Sequence, residues 1–203
     1  MQPPRIKNQL ACLAIVPIFG CSIVWGDENA NHGFVEDSHL TLLSRNFYFN
    51  RNFLNGGSNS LGRNSFKPQS DRNGYAEEWA QGFMADFRSG WTPGTFGFGV
   101  DAYSYLGVKL DSGGGRTGLR LMPITDDGHP QDSFSKNGAS VKAKLSKTML
   151  YYGNLFPAVP VFSVNTVRLF PSSATGWMLQ SDDIGSTHLD AGYFTSRGRG
   201  RLQ

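Results

Sequence analysis

Cysteine is nearly missing from this 203-residue chain, and both copies, Cys12 and Cys21, fall within its first 26 residues. A mature chain beginning at Asp27 would have no disulfide, no thiolate nucleophile and no cysteine metal site. Long apolar runs are scarce too. Leu10–Gly20 (LACLAIVPIFG) spans 11 residues, short of the ~20 that a membrane helix needs, and no other stretch comes near that length. The run follows Arg5 and Lys7 and precedes the small residues Val24 and Gly26. This is the pattern of a signal peptide cleaved after Gly26, with Ala30 as the alternative site. Residues 1–26 are accordingly read as signal peptide and 27–33 as a short mature leader. Charge of one sign is lacking as well. Without Arg5 and Lys7 the 19 basic residues fall to 17, against 16 acidic ones. The basic isoelectric point therefore owes much to the leader and argues for no nucleic-acid partner. Hydrophobic residues reach only 39% and mean hydropathy is negative, which excludes a helical membrane protein.

What is present is alternation. In Thr95–Asp111 (TFGFGVDAYSYLGVKLD) the even positions Phe96, Phe98, Val100, Ala102, Leu106, Val108 and Leu110 are apolar, with Ser104 the exception. The odd positions hold Gly, Asp, Thr, Tyr and Lys. Neighbouring side chains of a strand point to opposite faces, so one face is greasy and the other polar or glycine-lined. At ~3.3 Å per residue the segment would extend about 55 Å, far beyond the usual ~5–6-residue strand of a soluble protein. A barrel with lipid outside and water inside uses such strands and hides its membrane character in every second residue.

Two further segments repeat the pattern. Ala139–Tyr152, read as one strand, places Ala139, Val141, Ala143, Leu145, Met149 and Tyr151 outward, with Lys147 as a snorkelling interruption. Its other face carries Lys142 and Lys144, then drifts apolar at Leu150 and Tyr152. Tyr75–Ser89 places Tyr75, Trp79, Phe83, Ala85 and Phe87 outward, against Glu78, Asp86 and Arg88. Weaker alternation runs through Phe34–Phe53, Thr175–Asp182 and Thr187–Thr195, which makes about six strands. Gly90–Gly94 reads as a short turn, with Trp91 at an aromatic girdle. Residues 52–73 and 112–136 read as long polar loops, and this asymmetry of ends suits an outer-membrane barrel. Residues 153–173 are too apolar to float in water. They are expected either to fold into the barrel mouth as a constriction or to form an irregular strand, although the strand count puts them at the short-turn end.

Phe34-Val-Glu-Asp-Ser38 with Leu42–Arg51 resembles the opening of the OprD-type outer-membrane porins of pseudomonads. So, in the same order, do Glu78–Phe83, the Gly90–Gly94 turn with Gly97–Ala102, Leu106–Asp111, Ser146–Leu150, Pro160–Phe162, Arg168–Pro171 and Ala174–Gly176. The resemblance covers roughly residues 33–195, with residues 34–196 read as N-terminal barrel strands. It implies an all-β, antiparallel transmembrane barrel of eighteen strands, of which this chain is the N-terminal portion. It also implies passive uptake of small carboxylate-bearing nutrients such as basic amino acids, aromatic or other organic acids, or small peptides, guided by a lumen-side basic row. Family members are roughly twice as long and close on an aromatic end strand. Residues 197–203 (RGRGRLQ) match nothing in them, so a fragment is expected. A terminal RGRGR is too short to indicate RNA binding.

Arg51 matches a position of the family's basic row. Taking Leu40 and Leu42 as outward turns Arg45, Phe47 and Phe49 inward with it. Arginine suits this role because it stays charged and grips a carboxylate with two hydrogen bonds. Parity also turns Glu78, Asp101, Lys109, Lys142 and Lys144 inward. No cofactor, metal or catalytic residue is expected. Ser133-Phe-Ser-Lys136 lies in a loop without the companion motifs of serine acylases, and Asp126-Asp127-Gly128-His129 reads as a solvated turn. Expected partners are outer-membrane lipid, small anionic or zwitterionic solutes and the outer-membrane assembly machinery; homo-oligomers stay open. The rival reading is a non-transporting envelope β-sandwich or lipoprotein binding module. It draws on Ile18-Phe19-Gly20-Cys21, close to a lipidation box except for the bulky Phe19.

Overall fold

The computed structural model describes residues 33–55, 57–112, 114–159, 162–163 and 168–198. The expected signal peptide, most of the leader and the last five residues of the chain lie outside these. Among the described residues no helix is long and apolar enough to cross a membrane. The strands are β1 (His39–Asn52), β2 (Tyr75–Arg88), β3 (Phe96–Asp111), β4 (Ser133–Leu145), β5 (Thr148–Leu155), the two-residue β6 (Ala158–Val159) and β7 (Phe162–Ser163), β8 (Ser173–Ile184) and β9 (Thr187–Gly198). Seven of them form one antiparallel sheet in the order β1-β2-β3-β4-β5-β8-β9, an up-and-down meander with the form of a half-barrel. The short β6–β7 hairpin stands apart from it.

The two faces divide as the alternation requires. Phe96 and Phe98 on β3 are 61% and 57% exposed, while Tyr103 and Tyr105 between the other outward residues are 6% and 2% exposed. Cross-strand register keeps like with like: Phe83 opposes Leu106, Val100 opposes Val141 and Tyr152 opposes Trp177. A continuous apolar outer surface results, too large for a water-facing sheet and suited to hydrocarbon.

The segment read as one strand over 139–152 is two. A two-residue turn at Ser146 and Lys147 separates β4 from β5 and pairs Leu145 with Thr148 and Lys144 with Met149. Ser146 takes a left-handed backbone (φ 55°) there, a conformation for which glycine or asparagine is the usual marker. Crossing the turn reverses parity. Leu150 and Tyr152, expected on the inner face, are exposed outer residues, and Met149 and Tyr151 join Lys142 and Lys144 inside. The sheet therefore has seven strands, not six. The extra turn also moves residues 156–172 to the end where the long loops lie, so their length no longer conflicts with the topology. Two smaller corrections concern β1 and Trp91. Residues 34–37 form a turn ahead of β1, whose Phe34 carbonyl accepts from Gly90 N–H at 2.9 Å. Trp91 is no lipid-facing girdle residue. It folds back over the inner face of β3, its ring atoms 3.3 Å from where a Cβ on Gly97 would stand.

The core lies against the inner face. Ala80, Met84, Tyr103, Tyr105 and Phe134 from the strands meet Leu121 and Met122 from the β3–β4 loop and Leu169 and Phe170 from the β5–β8 connector. Rings follow one another at 4.8 Å (Phe156–Tyr103), 4.9 Å (Tyr103–Tyr105), 5.3 Å (Tyr105–Phe170) and 5.2 Å (Phe170–Phe134), tilted or edge-on as aromatic quadrupoles prefer. Gly82 and Gly107 make room for this layer. A Cβ at Gly82 would stand 2.9 Å from the Phe170 ring, and one at Gly107 2.5 Å from Phe134. Glycines on the polar face of the alternation thus act as sockets for this layer, and Leu169 and Phe170 of the connector are buried there.

Candidate functional site

Three loops meet over the inner face near the long-loop end. The β1–β2 loop is tied to the β3–β4 loop by asparagines. Buried Asn59 donates to the Thr117 carbonyl at 2.7 Å, Asn64 to Gly115 at 2.5 Å and Asn73 to Gly115 at 3.0 Å. Asparagine suits this work because its two N–H groups reach loop carbonyls that no strand satisfies. The β5–β8 connector is held by two basic strand residues. Arg45 on β1 donates to the carbonyls of Arg168 (2.9 Å) and Leu169 (3.2 Å), and Lys136 on β4 donates to Pro171 (2.8 Å) beneath the rings of Tyr103 and Phe156.

Between these loops a cleft of about 270 Å³ is lined by Phe49, Arg51, Leu61, Gly118, Leu119, Arg120 and Arg168. Arg168 stacks over Phe49 at 5.6 Å and donates to the Leu119 carbonyl at 2.6 Å. Arg51 lies 5.5 Å over the Phe53 ring. Arg120 is exposed, with a left-handed backbone at φ 63°. Among the described residues the side chains of Arg45, Arg51, Arg120, Lys136 and Arg168 have carbonyls or rings as partners, or none, and no carboxylate within ion-pair distance. Carbonyl dipoles satisfy their donors without cancelling their charge, so this wall stays electropositive.

The remaining inward charges fall into other groups. Lys142, only 8% exposed, donates to Asp101 at 2.7 Å and to the Ser89 carbonyl at 2.8 Å. It shares the Trp91 ring with Lys144, at 5.0 and 5.5 Å. This group sits at the short-turn end and its central pair is neutral. Lys109 pairs with exposed Asp132 at the far end of β3. Glu78 faces inward as its parity demands, yet it is wholly buried and does not stand in an open lumen. Asp127 accepts from Thr125 Oγ1 and His129 N–H within its own turn, the Asp-Gly turn geometry expected there.

The structure therefore sets Arg51 in the cleft and Arg45 under the connector that carries Arg168, keeps Asp101, Lys142 and Lys144 apart from them, and leaves Lys109 and Glu78 with other partners. It adds Arg120, Arg168 and Lys136, which alternation did not reach. The first two lie in loops without periodicity and the third in residues taken for a loop. A basic residue heading the Arg168–Pro171 motif was the available signal for one of them.

Comparisons with known proteins agree with this geometry. The chain is 43% identical over 169 residues to Porin D of Pseudomonas aeruginosa, covering 83% of this chain and 34% of that protein. It is 35% identical over 180 residues to the porin-like protein GalP of Pseudomonas putida, covering 89% of this chain and 40% of that one. Among solved structures it is similar to OccK9 (OpdG) of Pseudomonas aeruginosa, at 38% identity and a TM-score of 0.74 over 84% of this chain and 41% of that one. A BenF-like porin of Pseudomonas fluorescens gives 37% identity and a TM-score of 0.69 over 81% and 39%. The chain thus spans 34% to 41% of the length of these relatives. The family of outer membrane porins named OprD matches residues 32–201, which sets the sandwich alternative aside: the chain belongs to the OprD family of outer-membrane porins.

Proposed function

We propose that this chain supplies part of the wall and constriction of an outer-membrane channel that passively takes up small carboxylate-bearing solutes. The observation that carries the reading is the set of five inner-face basic side chains without a carboxylate partner, three of them lining one cleft. A carboxylate entering the cleft loses hydration and regains it as charge-assisted hydrogen bonds from Arg51 and Arg120. In a narrow water-filled passage with low-dielectric walls their field is focused, which raises local anion concentration. Phe47 and Phe49 are half-buried on the same face of β1 and offer an apolar surface to an aromatic or aliphatic acid. The related OpdK of Pseudomonas aeruginosa was solved with vanillate, an aromatic acid of the kind this cleft would accept.

The sequence-predicted residues then divide by role. Arg51 meets solute. Arg45 holds the constricting connector and adds to the field, to which Lys144 also contributes, while Lys109 is neutralised by Asp132. Asp101 and Lys142 form a neutral pair that shapes the short-turn end. Glu78 does not contact solute. The test uses a complete barrel in which this segment replaces the one it matches in Porin D. Changing Arg51 and Arg120 together to alanine should slow benzoate and vanillate uptake and shift the reversal potential towards cations, with a neutral sugar of similar size unaffected. Unchanged anion uptake and reversal potential in that double variant would remove the cleft from the mechanism.

A further inference from the structure

Among the described residues Glu78 is the most heavily engaged side chain of the inner face, and open-lumen chemistry has no use for it. It is 0% exposed. Its Oε1 accepts from Thr117 Oγ1 at 2.6 Å, Gly118 N–H at 2.7 Å and Leu119 N–H at 2.8 Å. Its Oε2 accepts from Leu121 N–H at 2.6 Å and more weakly from Met122 N–H at 3.4 Å. Loop residues 117–122 are wrapped around one carboxylate, and the residue that contributes no donor is Arg120.

That exception has a geometric reason. Four amides can converge on one group from a six-residue stretch only if the chain reverses between Leu119 and Leu121. Arg120 makes the reversal in a left-handed conformation, φ 63°. A non-glycine residue held there costs on the order of 1–3 kcal/mol and persists only where its surroundings over-determine it. Here the flanking amides are fixed by Glu78, and the Leu119 carbonyl accepts from Arg168 Nη1 at 2.6 Å. The neighbouring Gly118 (φ 154°) packs so closely on Asn59 that a Cβ would lie 2.4 Å from its Oδ1. With its flanks pinned, residue 120 turns its side chain away from the carboxylate and into the cleft beside Arg51 and Arg168.

We propose that Glu78 is the positioning residue of the basic cleft: it never touches solute, but it fixes where Arg120 and, through Leu119, Arg168 present their guanidinium groups. The proposal rests on the cleft reading given above. A buried acid on the wall thereby sets the anion preference of the passage, opposite to the effect its own charge would have in the lumen.

The completed barrel described above tests it with Glu78→Gln, Arg120→Gly and the double variant. Glycine accepts the left-handed backbone, so Arg120→Gly keeps the loop docked and removes only the charge. It should raise the half-saturating benzoate concentration by roughly tenfold, the scale of one lost charge-assisted hydrogen bond. Glu78→Gln turns an amide N–H₂ towards N–H donors. It should cause a shift of similar size and speed hydrogen exchange at amides 118–122, and the double variant should add little more. Should Glu78→Gln not assemble, Thr117→Val removes one donor alone and should shift benzoate in the same direction by less. An assembled Glu78→Gln barrel that exchanges faster but keeps its benzoate half-saturation and reversal potential, while Arg120→Gly changes both, would overturn the positioning role and leave the cleft standing. A Thr117→Val barrel that behaves so would do the same. No shift in Arg120→Gly would instead overturn the cleft.

Discussion

Val100→Arg puts the outer face to the test. Val100 lies four residues into β3, opposite Val141 of β4, with Phe98 and Ala102 as its neighbours on the same face. Four residues at ~3.3 Å amount to about 13 Å of strand, and a barrel tilt near 40° reduces this to roughly 10 Å of depth. In an apolar band ~25 Å tall that is close to the midplane, where an arginine costs about 2–4 kcal/mol. An arginine stem can snorkel towards the short-turn interface, so the lower end, about 2 kcal/mol, is expected. That is roughly a thirtyfold loss in the folded-to-unfolded ratio. The assay is urea titration of the completed barrel in detergent or liposomes, followed by the heat-dependent gel shift of intact barrels. The midpoint should fall while the slope stays constant. Lys142, one residue from Val141, is already accommodated inside, so charge on these strands is not itself the obstacle. A Val100→Arg barrel with an unchanged midpoint in a lipid bilayer would mean that this face does not meet hydrocarbon, and the barrel reading of the alternation would fail.

Further outcomes follow from the inner face. Gly107→Leu drives a side chain into Phe134 and Leu169; overpacking of this kind costs about 1–3 kcal/mol, or the connector lifts, and conductance with protease access to residues 156–172 separates the two. Lys136→Met removes the donor to the Pro171 carbonyl, so the same protease should cut the connector faster while the urea midpoint falls only slightly. Asp101→Asn leaves buried Lys142 with neutral partners and should cost about 1–3 kcal/mol, read in the same titration. At Asp132, by contrast, the Lys109 hydrogen bond holds an exposed carboxyl below the usual carboxylate range. Whatever that pair contributes is present at neutral pH and fades as pH falls through the lowered value, and Asp132→Asn should leave the midpoint at pH 7 unmoved. Finally, among the described residues β1 and β9 are paired on one side only. Residues 27–203 expressed alone should therefore give no discrete channel conductance, because an open edge leaves backbone groups unsatisfied in hydrocarbon; a stable single-channel step from that product would contradict this.

Alternation is a local property, and it was legible where the chain stays straight. The faces of Phe96–Lys109 in β3 followed from period two, as did the inward placement of Arg45, Glu78 and Lys142; a register shift opposite Trp79 ends the rhythm at Asp111. It failed where the chain turned without a turn residue. Ser146-Lys147 has no glycine, proline or asparagine, and the apolar residues on either side kept an apparent rhythm across it. The face assignment of Met149–Tyr152 was inverted as a result. Parity also says which face a side chain occupies but not what folds down upon that face. Nothing in the spacing of Glu78 told that five loop donors would surround it, and nothing in the Gly90–Gly94 turn told that Trp91 would lie over Gly97. Arg120 owes its position to the bond of its neighbour Leu119 to Glu78, 41 positions away, and Arg168 to its bond to Leu119, 49 positions away, separations that no local pattern spans.

The hydrogen bonds by which the strand residues Arg45 and Lys136 fasten the connector go only to main-chain carbonyls. A carbonyl is the same whatever side chain accompanies it. On the channel reading proposed above, the loop side chains lining the cleft can therefore be exchanged without loosening the fastening or disturbing the lipid-facing sheet. Selectivity would then be a cartridge in a constant housing, retuned while membrane assembly is left untouched.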